Sequence, residues 1–220
     1  MLAAGLLGGG AARAVAGSDP VPDGGYGFTA KVMFGDAQAC TGALVDQDWV
    51  LTAKNCFSDG TGPVVRGVPG KSTYALIGRT DLTGTAGQER VVVAVAPHPD
   101  RNLALARLSA PVTDITPVGL ADTAPADSET LTVAGYGRTA TEWVPDRLHA
   151  AAFTVQDVAT ATVGVVGASA GATICKGDAG GAGVPGCRGC ARAGGCQQHL
   201  VAEGLSGGDG DPGRGDRDPG

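Results

Sequence analysis

The chain carries no basic stripe, no apolar run long enough to cross a membrane, and no visible internal repeat. Over its patterned part it also has no stretch with a convincing helical period. Each absence excludes a class. Without a basic stripe, and with a net charge of −6, nothing competes for the phosphates of a nucleic acid. Without a membrane-length run, a spanning helix is excluded. What remains is apolar material: hydrophobic residues make up 43% and charged residues only 17% of 220 positions. That is enough for a packed core, at a length common for one all-β domain.

The opening MLAAGLLGGGAARAVAGS reads as the end of a secretion signal, a short apolar stretch followed by small residues. Two overlapping A-x-A sites lie in it, Ala12-Arg13-Ala14 and Ala14-Val15-Ala16. A basic leading region is missing, which is consistent with an internal start; a buried N-terminal segment is the alternative. Export permits disulfides. Cys40, Cys56 and Cys175 lie in well-patterned sequence, whereas Cys187, Cys190 and Cys196 crowd into a glycine-rich end.

Short runs of alternating β-branched and aromatic residues, punctuated by turn residues, predict strands. The first set is Phe28–Phe34, Cys40–Val45, Trp49–Ala53, Thr73–Gly78, Glu89–Val95 and Leu103–Leu108. A proline-broken connector follows, Ala110 to about Glu129. The second set is Leu131–Tyr136, Leu148–Val155, Ala161–Val166 and Ala172–Cys175. Two groups of strands with a proline-containing link predict two β-barrels. From Gly180 to Gly220 the pattern collapses, with 14 glycines in 41 positions. Such a stretch buries too little apolar area to offset its ordering entropy, so 183–220 is expected to be disordered.

Three ordered segments carry a resemblance. ACTGALVDQDWVLTAKNCF (Ala39–Phe57), DRNLALARL (Asp100–Leu108) and CKGDAGGA (Cys175–Ala182) resemble the three motif blocks of the chymotrypsin/trypsin-like serine proteases. Those blocks surround the catalytic histidine, begin the aspartate strand and form the nucleophile loop. VAGYGRT (Val133–Thr139) is similar to the family's second-barrel strand end. PDGGYGFTAK (Pro22–Lys31) and IGRTDLT (Ile77–Thr83) look closest to secreted actinobacterial members. The resemblance covers about Val15 to Ala182. It implies an all-β fold of two antiparallel barrels, with the second barrel incomplete because the later strands have no counterpart.

Carried over residue by residue, the resemblance places Asn55 at the histidine position, Asn102 at the aspartate position and Ala179 at the serine position. An asparagine amide takes up no proton near neutral pH, so Asn55 is no general base. Asn102 lacks the carboxylate that orients a histidine, a change that costs about 10⁴ in turnover in trypsin-like enzymes. Ala179 has no oxygen with which to form an acyl-enzyme. Neither neighbouring candidate substitutes: His98 stands four residues before Asn102, on the order of 13 Å along a strand, and Asp100 lacks a histidine partner. The backbone N–H groups of Gly177 and Ala179 retain the place of the oxyanion hole. Asp178 matches the aspartate that pairs with a freed N-terminal amine, here that of Val15 after cleavage at Ala14; capping of a turn is the alternative. Thr173 stands at the base of the specificity pocket, which removes a trypsin-like preference for Lys or Arg.

The resemblance also implies a Cys40–Cys56 disulfide, and Cys196 is the available partner for Cys175. Cys187, Cys190, Cys196 and His199 have an unusual spacing for zinc, and export favours oxidation, so no metal and no cofactor is expected. The RGD within Gly213–Asp216 is too short a motif to assign adhesion. Trp49, Trp143 and Tyr136 read as core and barrel-end packing. The expected organisation is a signal remnant (1–14), a trypsin-like domain (15–182) and a glycine-rich tail (183–220). A reading-frame shift in a GC-rich gene or a divergent extension each accounts for that tail. The expected protein is a secreted monomer, an inactive protease homologue that binds at most a protein or peptide between the barrels. A serine endopeptidase and a non-functional fragment are the alternatives.

Overall fold

The computed structural model describes residues 19–35, 38–139, 142–160, 162–169, 171–185, 199–200 and 204–206. The signal remnant, Val15, Cys187, Cys190, Cys196 and the RGD tripeptide lie outside them. Fourteen strands are present among the described residues, and the helical content is a single 3₁₀ turn, Lys54–Phe57. The fold is all-β, as expected.

The first barrel is built from β2 (Thr29–Phe34), β3 (Gln38–Asp46), β4 (Trp49–Thr52), β5 (Thr73–Ile77), β6 (Gln88–Pro97) and β7 (Ala104–Leu108). It closes in the order β2-β3-β4-β7-β6-β5, every pairing antiparallel. Period-two alternation drives closure: on β7, Ala104, Ala106 and Leu108 point inward while Leu105 and Arg107 are exposed. Ala30, Val32, Leu44, Val50 and Ile77 are fully buried in the resulting core. Val112 and Val118 of the connector add to it, so the proline-broken link is anchored rather than loose.

The second unit is an open sheet in the order β12 (Gly183–Pro185), β9 (Thr130–Gly135), β10 (His149–Val158), β11 (Thr162–Gly167) and β14 (Gly204–Ser206), with β1 (Asp19–Pro20) also pairing with β10. Its long members are β9, β10 and β11. Its interior divides into three small clusters, around Phe153, Leu148 and Val155. The second unit therefore shares less apolar burial per cluster than the first barrel.

One expectation needs correction. Ala172–Cys175 is not a strand. The amide of Ala172 donates to Ser169 O at 3.1 Å and that of Cys175 to the Asp178 carboxylate at 2.9 Å. With those donors taken, the segment has no ladder to join. Within the stretch expected to be disordered, three short strands are placed: β12 (Gly183–Pro185) on β9, β13 (His199–Leu200) on β8 (Gly119–Leu120), and β14 (Gly204–Ser206) on β11. Strand edges offer unpaired backbone groups to any chain, so such pairing needs no apolar pattern.

Candidate functional site

The two units meet at Thr41 on β3. Its amide donates to Ala179 O at 3.0 Å and its hydroxyl to Gly177 O at 2.9 Å, while the Tyr136 amide donates to that hydroxyl at 3.1 Å. A β-strand of the first barrel thus grips both the Cys175–Ala182 turn and the end of β9. The units are also joined where the Leu82 amide donates to Asp146 O at 2.7 Å, the Leu148 amide donates to Thr80 O at 2.8 Å, and Arg147 pairs with Asp81 at 2.8 Å. A cleft of about 510 Å³ opens between the units.

Asn55 and Ala179 both line this cleft. Asn102 stands behind Asn55: its side-chain carbonyl accepts the Asn55 amide at 2.9 Å, and its main-chain carbonyl accepts the Lys54 amide at 3.2 Å. Two of the three positions singled out from sequence thus line one opening, and Asn102, which does not line it, is bonded to the turn that carries Asn55. The Cys40–Cys56 disulfide is present and braces β3 against the turn that carries Asn55. His98 is not strung along a strand. Its amide bonds to Leu103 O at 2.8 Å and its Nδ1 accepts the amides of Asp100 and Arg101 at 3.1 Å, so the segment folds into a turn. The His98 Nδ1 is engaged there, and neither His98 nor His149 lines the cleft. Thr173 is exposed beside the free Cys175, 3.6 Å from its sulfur, and is not part of the cleft wall.

Asp178 is buried, and its carboxylate accepts the amides of Gly137 and Cys175 at 2.8 and 2.9 Å. Burial pushes its carboxyl up to about 6, against the lowering effect of those two bonds. A Cβ at Gly137 would stand 2.5 Å from both carboxylate oxygens, so the close approach requires glycine.

Trp143 was expected in packing but is 70% exposed, on the loop between β9 and β10, with the Arg138 guanidinium 5.0 Å from its ring centre. It lines the cleft with Arg138, Lys176 and Lys31, none of which sequence reasoning singled out. Lys31 had a signal: it stands in a strand whose neighbours are nearly all apolar. It is only 6% exposed, its Nζ 6.0 Å from the Tyr136 ring centre, and burial pulls its ammonium below the ordinary value while Asp146 opposes.

His149, at the start of β10, is buried, and neither ring nitrogen has a hydrogen-bond partner among the described residues. Burial lowers its pKa; Glu142 opposes and Arg147 adds to the shift. The native state therefore excludes a proton that the unfolded chain accepts below about pH 6.5, and stability falls as pH drops through that value. Asp178 acts oppositely, because its raised carboxyl takes up a proton in the native state first, between about pH 6 and the ordinary carboxylate range. His149→Leu isolates one contribution. It is expected to stabilise by about 1–3 kcal/mol at neutral pH by removing the unpaired nitrogens, with a larger gain at pH 5. Urea unfolding at both pH values checks this, and an equal gain at the two would refute the titration argument.

Comparison with known proteins agrees with this architecture. The structure is similar to that of neuropsin, a serine protease expressed in the limbic system of mouse brain, with a TM-score of 0.65, 22% identity, and coverage of 77% of this chain and 82% of that one. In sequence, the chain is 33% identical over 136 residues to Serine protease SP24D of Anopheles gambiae. That match takes in 58% of this chain and 47% of the relative, so the chain matches about half that relative's length. The family model described as Trypsin matches residues 15–200, past Ala182 where the quoted motifs end. This chain belongs to the trypsin family.

Proposed function

We propose that this chain is a secreted, monomeric, catalytically inactive trypsin-family protein whose remaining capacity is to hold a protein or peptide segment in the cleft between its two units. The observation that carries the reading is the identity of the groups at and behind the opening: Asn55, Asn102 and Ala179 supply neither base nor nucleophile. The hydroxyls close to them are engaged elsewhere. Thr52 donates to Thr41 O at 2.6 Å and Thr41 to Gly177 O at 2.9 Å. Cys175 contributes a thiol to the cleft wall, but no imidazole faces it there to take its proton. The turn nevertheless keeps its backbone donors. The amides of Asp178 and Gly181 are bonded within the turn, and those of Gly177 and Ala179 have no acceptor among the described residues.

Secretion rests on the leader-like opening and on the Cys40–Cys56 disulfide, which persists in an oxidising compartment. No helix among the described residues is long and apolar enough to cross a membrane. Endopeptidase activity would follow from family membership alone, yet among the described residues lining the cleft no nucleophile is paired with a base. Incubation with a panel of fluorogenic peptides tests the proposal: release of fluorophore should match buffer, and saturable turnover would overturn it.

A further inference from the structure

The cleft has a sign. Among the described residues, Lys31, Arg138 and Lys176 line it and no Asp or Glu does, in a protein of net charge −6. Arg138 and Lys176 are exposed and stand side by side on the wall, since the Arg138 amide donates to Lys176 O at 2.9 Å. Lys31 lies deeper, 6% exposed, with neither an acceptor nor an ion-pair partner for its Nζ among the described residues. Asp146 acts on it only at a distance. A buried cation without a partner is costly, and an incoming carboxylate supplies the partner. Apolar surface adjoins the charges: Trp143 is 70% and Val144 66% exposed, with Arg138 lying over the indole. Aromatic and arginine side chains arranged this way anchor interfaces.

From this we infer that the cleft takes an extended acidic segment of a second protein, with glutamate or aspartate carboxylates against Arg138, Lys176 and Lys31 and an apolar side chain on Trp143 and Val144. The inference rests on the reading of the cleft as a peptide-binding groove and adds the chemistry of the occupant. Charge complementarity argues against a neutral or basic segment, and an oppositely signed rim also speeds encounter.

The test uses the full chain and three blocked hexapeptides, acetyl-Ala-Glu-Leu-Glu-Glu-Ala-amide and its counterparts with Gln or Lys in place of Glu. Calorimetric titration at about 50 mM salt should show the Glu peptide binding at least about tenfold more tightly than the Gln peptide, and no heat from the Lys peptide. Raising salt to about 300 mM should weaken the Glu peptide, because exposed charges are screened. Arg138→Gln and Lys176→Gln, changes at exposed positions outside the buried core, should each weaken it about threefold. Lys31→Met should weaken it about tenfold, with a melting temperature no lower than that of the unaltered chain showing that the fold is kept. Equal binding of the Glu and Gln peptides, or no effect of the two surface variants, would overturn the acidic preference and leave the groove reading standing. Absence of binding by all three up to about 1 mM would overturn both.

Discussion

Restoring Asn55→His, Asn102→Asp and Ala179→Ser together should yield a protein at least about a thousandfold slower in kcat/KM than a complete trypsin-family protease on the same peptide. The local frame for a triad is in place. Asn55 and Ala179 line one cleft, and the Asn102 side-chain carbonyl already accepts the Asn55 amide at 2.9 Å, a bond that an aspartate would keep. What is lacking among the described residues is a pocket that would fix a substrate side chain, and with it the scissile bond, against the three positions. Among the described residues the second sheet stays open, with β12 and β14 at its ends, and Thr173 lies exposed rather than at the base of a pocket. Positioning contributes effective molarities of about 10⁵ M or more, and reinstating three side chains does not supply it. Steady-state kinetics of the triple variant beside an intact family member checks this. Cleavage within about tenfold of the intact enzyme would show that the segments after Ala182 complete a working pocket.

A single methyl group should do comparable damage to the fold. Gly180→Ala is expected to destabilise the chain by about 3 kcal/mol, combining about 1–2 for a left-handed backbone with about 1–3 for overpacking. Gly180 has φ +85°, and a Cβ there would fall well inside contact distance of the Thr41 carbonyl oxygen and the Thr52 hydroxyl, and 2.7 Å from the Ala53 amide nitrogen. Two of these three neighbours are backbone atoms, so they cannot turn aside. The cost falls at the junction where Thr41 grips the Ala179 turn. For a chain of this size the melting temperature should fall by about 6–12 °C, and the cleft-facing Trp143 should change its emission. A shift below about 1 °C would mean that the turn is not seated against the first barrel as described.

The first barrel was legible because its chemistry is periodic. β7 alternates buried and exposed positions along its whole length and β5 buried and half-buried ones, and the six predicted segments match β2 to β7 within one or two residues at every boundary. The second unit was harder for stated reasons. Ala172–Cys175 has the apolar, β-branched look of a strand, but Asp178 and Ser169 capture its amides. β12, β13 and β14 pair through backbone groups in a stretch without pattern, so composition gave them no signal. At the site, motif resemblance located Asn55, Asn102 and Ala179 but was silent on the cleft's charge. Lys31, Arg138 and Lys176 are far apart in sequence, and only the packing of β2 against the Tyr136 and Cys175–Ala179 segments makes them neighbours. Trp143 was misjudged because a tryptophan in a short loop is as compatible with a covered barrel end as with a rim residue; Arg138 stacking on its exposed face decides for the rim.

We propose that this trypsin-family chain has no activated nucleophile. Exposure of the purified protein to a fluorophosphonate, followed by intact-mass spectrometry, tests it most directly. An unshifted mass is predicted, because Ala179 offers no oxygen to phosphonylate and neither His98 nor His149 lines the cleft to activate another. One phosphonyl group per chain, mapped to any residue of the cleft, would contradict the account.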